Sequence, residues 1–207
     1  MKPTDSAPLT PEDLGHDPIQ AFRSWFRGAE ESHSLPFPNA VCLSTVDPGG
    51  WPEGRIVLLK GVDDRGFHFF TNYRSAKGRS LEAVPRGALT FYWGDLERQV
   101  RIQGPVEQLS EEESDEYFQS RPRGSRIGAW ASDQSAPLES REAMETRARE
   151  VEERYRGQEV PRPPHWGGYL LRPHLIEFWE GREDRLHDRI RFLLGEDGRW
   201  DVDRLNP

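Results

Sequence analysis

The chain has 207 residues, with 28 Lys and Arg against 36 Asp and Glu, for a net charge of −8. That length supports one large domain or two small ones with a real core. The acidic balance excludes a general nucleic-acid binder, which needs a basic footprint. The single Cys, Cys42, excludes an internal disulfide framework and a cysteine zinc site.

In chain order, residues 1–16 are polar, contain Pro and lack periodicity, so a flexible arm is expected. Asp17-Pro18 is a helix start, and Ile19, Phe22, Phe26 and Ala29 fall on one helical face. Short strands follow at Asn39–Val46, 53–61 and Phe67–Asn72. They are separated by the turns Asp47-Pro48-Gly49-Gly50 and Asp63-Asp64-Arg65-Gly66, a meander that predicts antiparallel pairing. Ser75 caps a short helix to about Val84. Strands are expected over Ala88–Trp93 and Gln99–Leu109, the second bent at Gly104-Pro105.

Ser110-Glu111-Glu112-Glu113 is a capping box that opens a helix through Gln119, ended by Arg121-Pro122-Arg123-Gly124. Residues 138–156, dense in Glu, Arg and Ala, predict an exposed helix stopped by Gly157. After the stiff Pro161-Arg162-Pro163-Pro164, strands are expected at 167–172, 175–181, 189–194 and near Trp200–Val202. The pattern is α+β, an antiparallel barrel with helices between strands, and residues 17–207 read as a single domain.

No apolar run reaches transmembrane length and no hydrophobic signal core opens the chain, so a soluble cytoplasmic protein without a membrane partner is expected. There is no Gly-rich dinucleotide fingerprint, P-loop or nucleophile elbow. His16, His33, His68, His165, His174 and His187 lack metal-ligand spacing, so no metal site is expected. Seven Trp and ten Phe suggest flat ligand surfaces or a substantial interface as well as core.

Four stretches bear on function. Arg55-Ile56-Val57-Leu58-Leu59-Lys60 reads as a strand buried on both faces with a cation at each end. Two readings fit: an ordinary core strand with snorkelling ends, or an anion site combining an Arg fork with a Lys point charge. Positions 55 and 60 have opposite parity and should leave a regular strand on opposite faces. In Phe178–Arg189, an extended backbone would point Arg185, His187 and Arg189 the same way beside Trp179; a charged turn reads equally well. Tyr117 and Arg121 share a helical face and Ser125 follows a turn later, which suits a phosphate or a dipole-complemented helix end. Gln99 stands in a strand beside Val100, where a buried amide needs partners.

Together these stretches, with Phe70-Thr71-Asn72, Ser75 and Lys77, Ile127-Gly128-Ala129-Trp130 and Gln134-Ser135, resemble the pyridoxamine 5′-phosphate oxidase family in order along the chain. The resemblance implies a homodimeric split β-barrel with FMN at the subunit interface. It implies oxidation of pyridoxamine and pyridoxine 5′-phosphates by oxygen, with release of hydrogen peroxide. By analogy the flavin would meet Arg55, Ile56, Val57, Leu58, Leu59, Lys60, Phe70, Thr71, Lys77, Gln99, Gln134, Ser135, Trp179 and Arg189. The substrate phosphate would meet Lys60, Tyr117, Arg121 and Ser125, with Arg185, Leu186 and His187 against the pyridine ring; Arg185 and His187 are the implied catalytic pair. Two departures stand out. Ala76 precedes Lys77 where the family often has Arg, leaving Arg74 or Arg79 as substitutes. Residues 1–16 hold one cation, Lys2, and no aromatic residue, unlike the Arg- and Tyr-containing arm of some members. The rival readings are a phenazine-type flavin oxidase of the same fold and a non-catalytic flavin- or pyridoxal-phosphate-binding protein.

Overall fold

The computed structural model describes residues 7–207. Ten strands make one curled antiparallel system: β1 (Ala40–Val46), β2 (Pro52–Leu58), β3 (Gly61–Asp63), β4 (Gly66–Asn72), β5 (Arg86–Trp93), β6 (Arg98–Gln108), β7 (Trp166–Leu171), β8 (Leu175–Glu180), β9 (Asp188–Leu194) and β10 (Trp200–Arg204). The main path runs β10-β9-β8-β6-β5-β1-β2, and β7 joins β6 to β4, which pairs with β3. The expected α+β antiparallel split barrel is therefore what the chain forms.

The curl turns on β6. Residues 98–103 pair with β8, whereas residues 106–108 pair with β7. The switch falls at Gly104-Pro105, the bend expected from sequence. A Cβ on Gly104 would lie 1.7 Å from the Arg172 carbonyl oxygen, so only glycine lets the crossing backbones approach there. The barrel interior is a sealed core around Phe22, Phe67, Phe69, Phe91, Phe178 and Phe192, all fully buried.

Among the described residues six helices surround it: α1 (Pro11–Leu14), α2 (Pro18–Glu31), α3 (Ala76–Ala83), α4 (Glu111–Ser120), α5 (Arg123–Ala131) and α6 (Arg141–Arg154). Asp17 caps α2 through the Ile19 and Gln20 amides, and Ser110 closes a capping box with Glu113 on α4. α2 lays Ile19, Phe22, Trp25 and Ala29 on the barrel; Phe26 is only partly buried. α5 and α6 share a small separate core of Ile127, Ala131, Val151 and Val160.

Three expectations are corrected. Residues 7–16 of the expected flexible arm are fastened down, and residues 1–6 lie outside the described residues. Thr10 and Asp13 form a capping box on α1, and Leu9 and Leu14 are buried. The Leu9 amide donates to Asp188, and Arg204 donates to the Leu9 carbonyl at 2.5 Å. Helix α5 is not expected from sequence: Pro122 reads as a stop, but it is the N-cap of the next helix, and its carbonyl accepts from the Arg126 amide at 3.1 Å. Finally, β2 is not buried on both faces. It ends the sheet path, and Ile56 is 66% exposed and Leu58 39% exposed. Its sequence is core-like because it is apolar, but no strand among the described residues covers its outer edge.

Candidate active site

Parity sorts the cations of the β2 stretch. Ile56, Leu58 and Lys60, with Val57 between them, line a cavity of about 600 Å³, while Arg55 is not in its lining. The Arg55 guanidinium donates to Thr45 Oγ1 at 2.7 Å, to the Leu43 carbonyl at 3.1 Å and to Glu53 Oε2 at 2.7 Å. The two cations serve different surroundings. Leu59 turns into the core, 4% exposed.

The cavity is built from four directions. β2 supplies Ile56, Val57 and Leu58, and β4 supplies Phe70, Thr71 and Asn72. The α4–α5 junction supplies Tyr117, Arg121 and Ser125, with Gly128, Ala129, Ser132 and Gln134 beyond it. Trp166 opens β7 and closes the wall. Its cations are Lys60, Lys77 and Arg121, and no Asp or Glu is in the lining. In a chain with a net charge of −8, a cavity with three cations and no acid in its lining is a local concentration of positive charge.

Each cation is held without being neutralised. Lys77 Nζ donates to Gln134 Oε1 at 3.0 Å, and Thr71 Oγ1 donates to the same oxygen at 3.1 Å. Burial and then the nearby Arg55 charge push the Lys77 ammonium below its ordinary pKa, partly offset by Glu53. Arg121 ends α4, and burial lowers its pKa too. Its Nη1 is buried and finds no hydrogen-bond acceptor. Ser135, with φ 73°, anchors the loop carrying Gln134 by accepting from the Ala76 amide at 3.1 Å, so it stabilises the wall and is not in the lining.

An aromatic stack forms the floor. Phe70 and Tyr117 stack with centroids 3.8 Å apart, and Tyr117 and Trp166 lie within 6° of parallel. Phe70 has space for this because Gly168 faces it across the β4–β7 ladder; a Cβ there would lie 2.7 Å from the Phe70 ring. Lys60 Nζ sits 6.0 Å from the Tyr117 ring centroid, at the limit of cation–π attraction.

A second group lies elsewhere in the same chain. Gln99 on β6, Trp179 on β8 and Arg189 on β9 form one row across the sheet. Trp179 is four strand steps from β2 along the path, about 19 Å at 4.8 Å per step. None of Gln99, Trp179, Arg185, Leu186, His187 or Arg189 lines the cavity. Nor do Arg185, His187 and Arg189 share the face of an extended strand. Residues 183–185 form a single tight turn, Asp184 and Arg185 have φ of 53° and 62°, and β9 begins only at Asp188. Two adjacent left-handed residues other than glycine carry a conformational cost that the surroundings must hold in place.

The surroundings are a cluster of ion pairs. Arg182 Nε donates to Asp188 Oδ2 and its Nη2 to Glu180 Oε2, both at 2.7 Å, and Arg204 Nη1 donates to Asp188 Oδ1 at 2.7 Å. The Arg182 amide donates to His187 Nδ1 at 3.0 Å. Nδ1 must therefore present its lone pair, which puts the neutral ring's proton on Nε2. The His187 ring lies 4.6 Å from that of Trp179, and Leu186 is 69% exposed. Arg189 is tied to Glu177, which also accepts from Arg101.

Arg74 and Arg79, the candidates to replace a cation before Lys77, do not reach it. They line a separate cavity with Tyr73, His165 and Tyr169. The lining residues that sequence reasoning left out of the site are Asn72, Pro122, Gly128, Ala129, Ser132 and Trp166. The spacing of Ser125, Gly128, Ala129 and Ser132 at helical intervals was the signal for a small-residue wall on α5.

Residues 30–155 match the family model described as pyridoxamine 5′-phosphate oxidase. The chain belongs to the pyridoxamine 5′-phosphate oxidase family. Residues 166–207 match a second model, the pyridoxine 5′-phosphate oxidase C-terminal dimerisation region. A pyridoxine/pyridoxamine 5′-phosphate oxidase of Burkholderia lata is 56% identical over 203 residues, 97% of this chain and 94% of the relative. One from Cupriavidus necator is 54% identical over 199 residues, 96% and 93% of the two chains. Among solved structures, PhzG from Burkholderia lata, in complex with tetrahydrophenazine-1-carboxylic acid, superposes with a TM-score of 0.90 at 32% identity, covering 99% of each chain. An FMN-binding, pyridoxamine 5′-phosphate oxidase-related protein of Nostoc punctiforme shares the fold, with a TM-score of 0.73 at 19% identity over 94% of this chain and all of that one. No helix among the described residues is long and apolar enough to cross a membrane.

Proposed function

We propose that this chain is an FMN-dependent oxidoreductase that converts pyridoxamine 5′-phosphate and pyridoxine 5′-phosphate to pyridoxal 5′-phosphate in vitamin B6 salvage. The amine consumes oxygen and water and releases ammonia and hydrogen peroxide; the alcohol consumes oxygen and releases peroxide. The observation that carries this reading is the cavity with Lys60, Lys77 and Arg121, an aromatic floor and no acid in its lining. Its volume of about 600 Å³ is in the range of cofactor sites.

The residues fit a flavin mononucleotide. Lys77 with Thr71 and Gln134 offers donors and charge at one end, and Ile56, Val57 and Leu58 offer an edge strand with free backbone groups. When bound, FMN supplies a two-electron acceptor that oxygen can reoxidise. Lys60, Tyr117, Arg121 and Ser125 would take the substrate phosphate, with Arg121 contributing the fork and Lys60 the point charge.

The second group completes the site in a homodimer. Within one chain, Trp179, Arg185, His187 and Arg189 are not in the lining of this cavity, and the exposed Ile56 and Leu58 mark an uncovered edge. A second copy would bring Gln99, Trp179, Arg185, Leu186, His187 and Arg189 to that edge. With its proton on Nε2, His187 acts as a hydrogen-bond donor that orients the substrate ring, while Arg185 stabilises charge developing on it.

The likeness to PhzG favours one rival, a phenazine-type oxidase. The presence of Tyr117, Arg121 and Ser125 together in the cavity favours the phosphorylated substrate. The test is peroxide release by purified protein reconstituted with FMN. Turnover of pyridoxamine or pyridoxine 5′-phosphate, with none of the unphosphorylated vitamers at equal concentration, is expected. A yellow protein that releases no peroxide with either phosphate would refute the assignment.

A further inference from the structure

Arg121 presents a problem in electrostatics. It is half-buried, its pKa is lowered by that burial, and it makes no ion pair among the described residues. A buried guanidinium is normally held by a carboxylate, which fixes the fork and also occupies it. Here the neighbour is an indole. The Arg121 guanidinium carbon sits 4.4 Å from the Trp166 ring centroid and 5.4 Å from that of Phe118. Trp166 is 6% exposed, T-stacked on Phe118 and nearly parallel to Tyr117, so its face is fixed.

We infer that Trp166 is the positioning residue for the phosphate-binding Arg121, serving as a neutral counterpart that orients the guanidinium while leaving its N–H groups free for an anion. This rests on the reading of the cavity as a phosphate site. The attraction of a cation to an indole face grows when water is excluded, and it uses no hydrogen-bond donor. The buried Nη1 that finds no acceptor is the expected result of such an arrangement. A carboxylate in the same place would hold the side chain as well, but would compete with the ligand for the fork and cancel its charge. Trp166 thereby selects for phosphorylated ligands without touching the reacting carbon.

Three consequences separate this role from ordinary packing. Loss of the indole should weaken ligands that carry a phosphate and spare those that lack one. The effect should follow the strength of the ring face, Trp over Phe over Met. It should also vanish once Arg121 has gone, because nothing is left to position.

The experiment titrates the FMN-loaded protein with pyridoxal 5′-phosphate and with pyridoxal, recording both dissociation constants by absorbance. Wild type should prefer the phosphate form. Trp166→Met should raise the Kd for pyridoxal 5′-phosphate about tenfold, equivalent to about 1.4 kcal/mol, and change that for pyridoxal less than about twofold, since a ligand without a phosphate makes no bond to the Arg121 fork. Trp166→Phe should fall between, at roughly a threefold loss. In an Arg121→Ala background, Trp166→Met should cause no further loss of phosphate preference. If the Met variant does not fold, Trp166→Phe carries the test by itself: a phosphate preference equal to wild type overturns the inference. Equal losses for both ligands overturn it as well and reduce Trp166 to a packing residue. A wild type with no preference for the phosphate form overturns the phosphate-site reading beneath it, a separate outcome from either of these.

Discussion

Replacing Arg121 with Ala should impair function and leave stability almost untouched. Among the described residues this guanidinium has no carboxylate partner, and one of its nitrogens is buried without an acceptor. Breaking a buried ion pair costs about 3–5 kcal/mol, because a charge is stranded. Here the variant strands nothing. It loses a cation–π contact and some stem packing, about 1–2 kcal/mol, and recovers the desolvation that lowers the Arg121 pKa. The net change should stay within about 1 kcal/mol, or roughly 4 °C in Tm for a chain of this size. Binding is another matter. Two charge-assisted hydrogen bonds at about 1.5 kcal/mol each predict a loss near 3 kcal/mol, or roughly 100-fold in KM for the phosphorylated substrate. FMN occupancy should be unchanged, because Lys77, Thr71 and Gln134 are intact. Peroxide-release kinetics alongside thermal denaturation make the measurement. A KM equal to wild type, or a Tm lowered by 10 °C or more, on the order of 3 kcal/mol, would show that Arg121 is structural.

Two further outcomes follow from the same geometry. Lys77→Met keeps the length of the side chain but removes the charge next to Gln134 Oε1, and should raise the Kd for FMN about tenfold or more by flavin fluorescence quenching; an unchanged Kd would move the flavin away from Lys77. Burial works to raise the Asp188 carboxyl, but hydrogen bonds from Arg182, the Leu9 amide and Arg204 outweigh it and hold its pKa below the ordinary range. A depressed carboxylate gives stability that is present above its unfolded pKa of about 3.9 and is lost as pH falls toward the folded value. Amide exchange of residues 7–16 should therefore accelerate selectively below about pH 4, and Asp188→Asn should show the fast exchange already at neutral pH. Equal protection of these residues in the variant and wild type would refute the fastening.

The sequence made the fold legible wherever a local rule was sufficient. Asp17-Pro18, the Ser110–Glu113 box and Gly157 mark real helix ends, and Gly104-Pro105 marks the real bend of β6. Local rules failed where distant residues decide. Leu9 and Leu14 are too few to announce packing, and what ties their segment down are Asp188 and Arg204, far along the chain. The apolar run of β2 was read as doubly buried because hydrophobicity alone does not distinguish a core strand from an edge strand with an uncovered face. The cavity was half legible. Tyr117, Arg121 and Ser125 meet as their spacing suggested, whereas Trp166 acts through a contact across 45 residues that no periodicity encodes. The loop of Arg185 and His187 could not be read as extended or turned, because its left-handed residues are held by Arg182 and Asp188 on either side and not by their own preferences.

Co-expression of two variants, assayed with substrate well below the raised KM of Arg121→Ala so that each alone is nearly inactive, tests whether one site draws on two chains. Arg121→Ala disables the cavity half and His187→Ala the loop half. If each site combines the cavity of one protomer with the loop of its partner, random assortment makes half the dimers mixed. Each mixed dimer then has one fully intact site, so about a quarter of wild-type activity should return. Should the mixture stay as inactive as its parents while forming mixed dimers, both halves would have to lie in one chain, and the composite site would be contradicted.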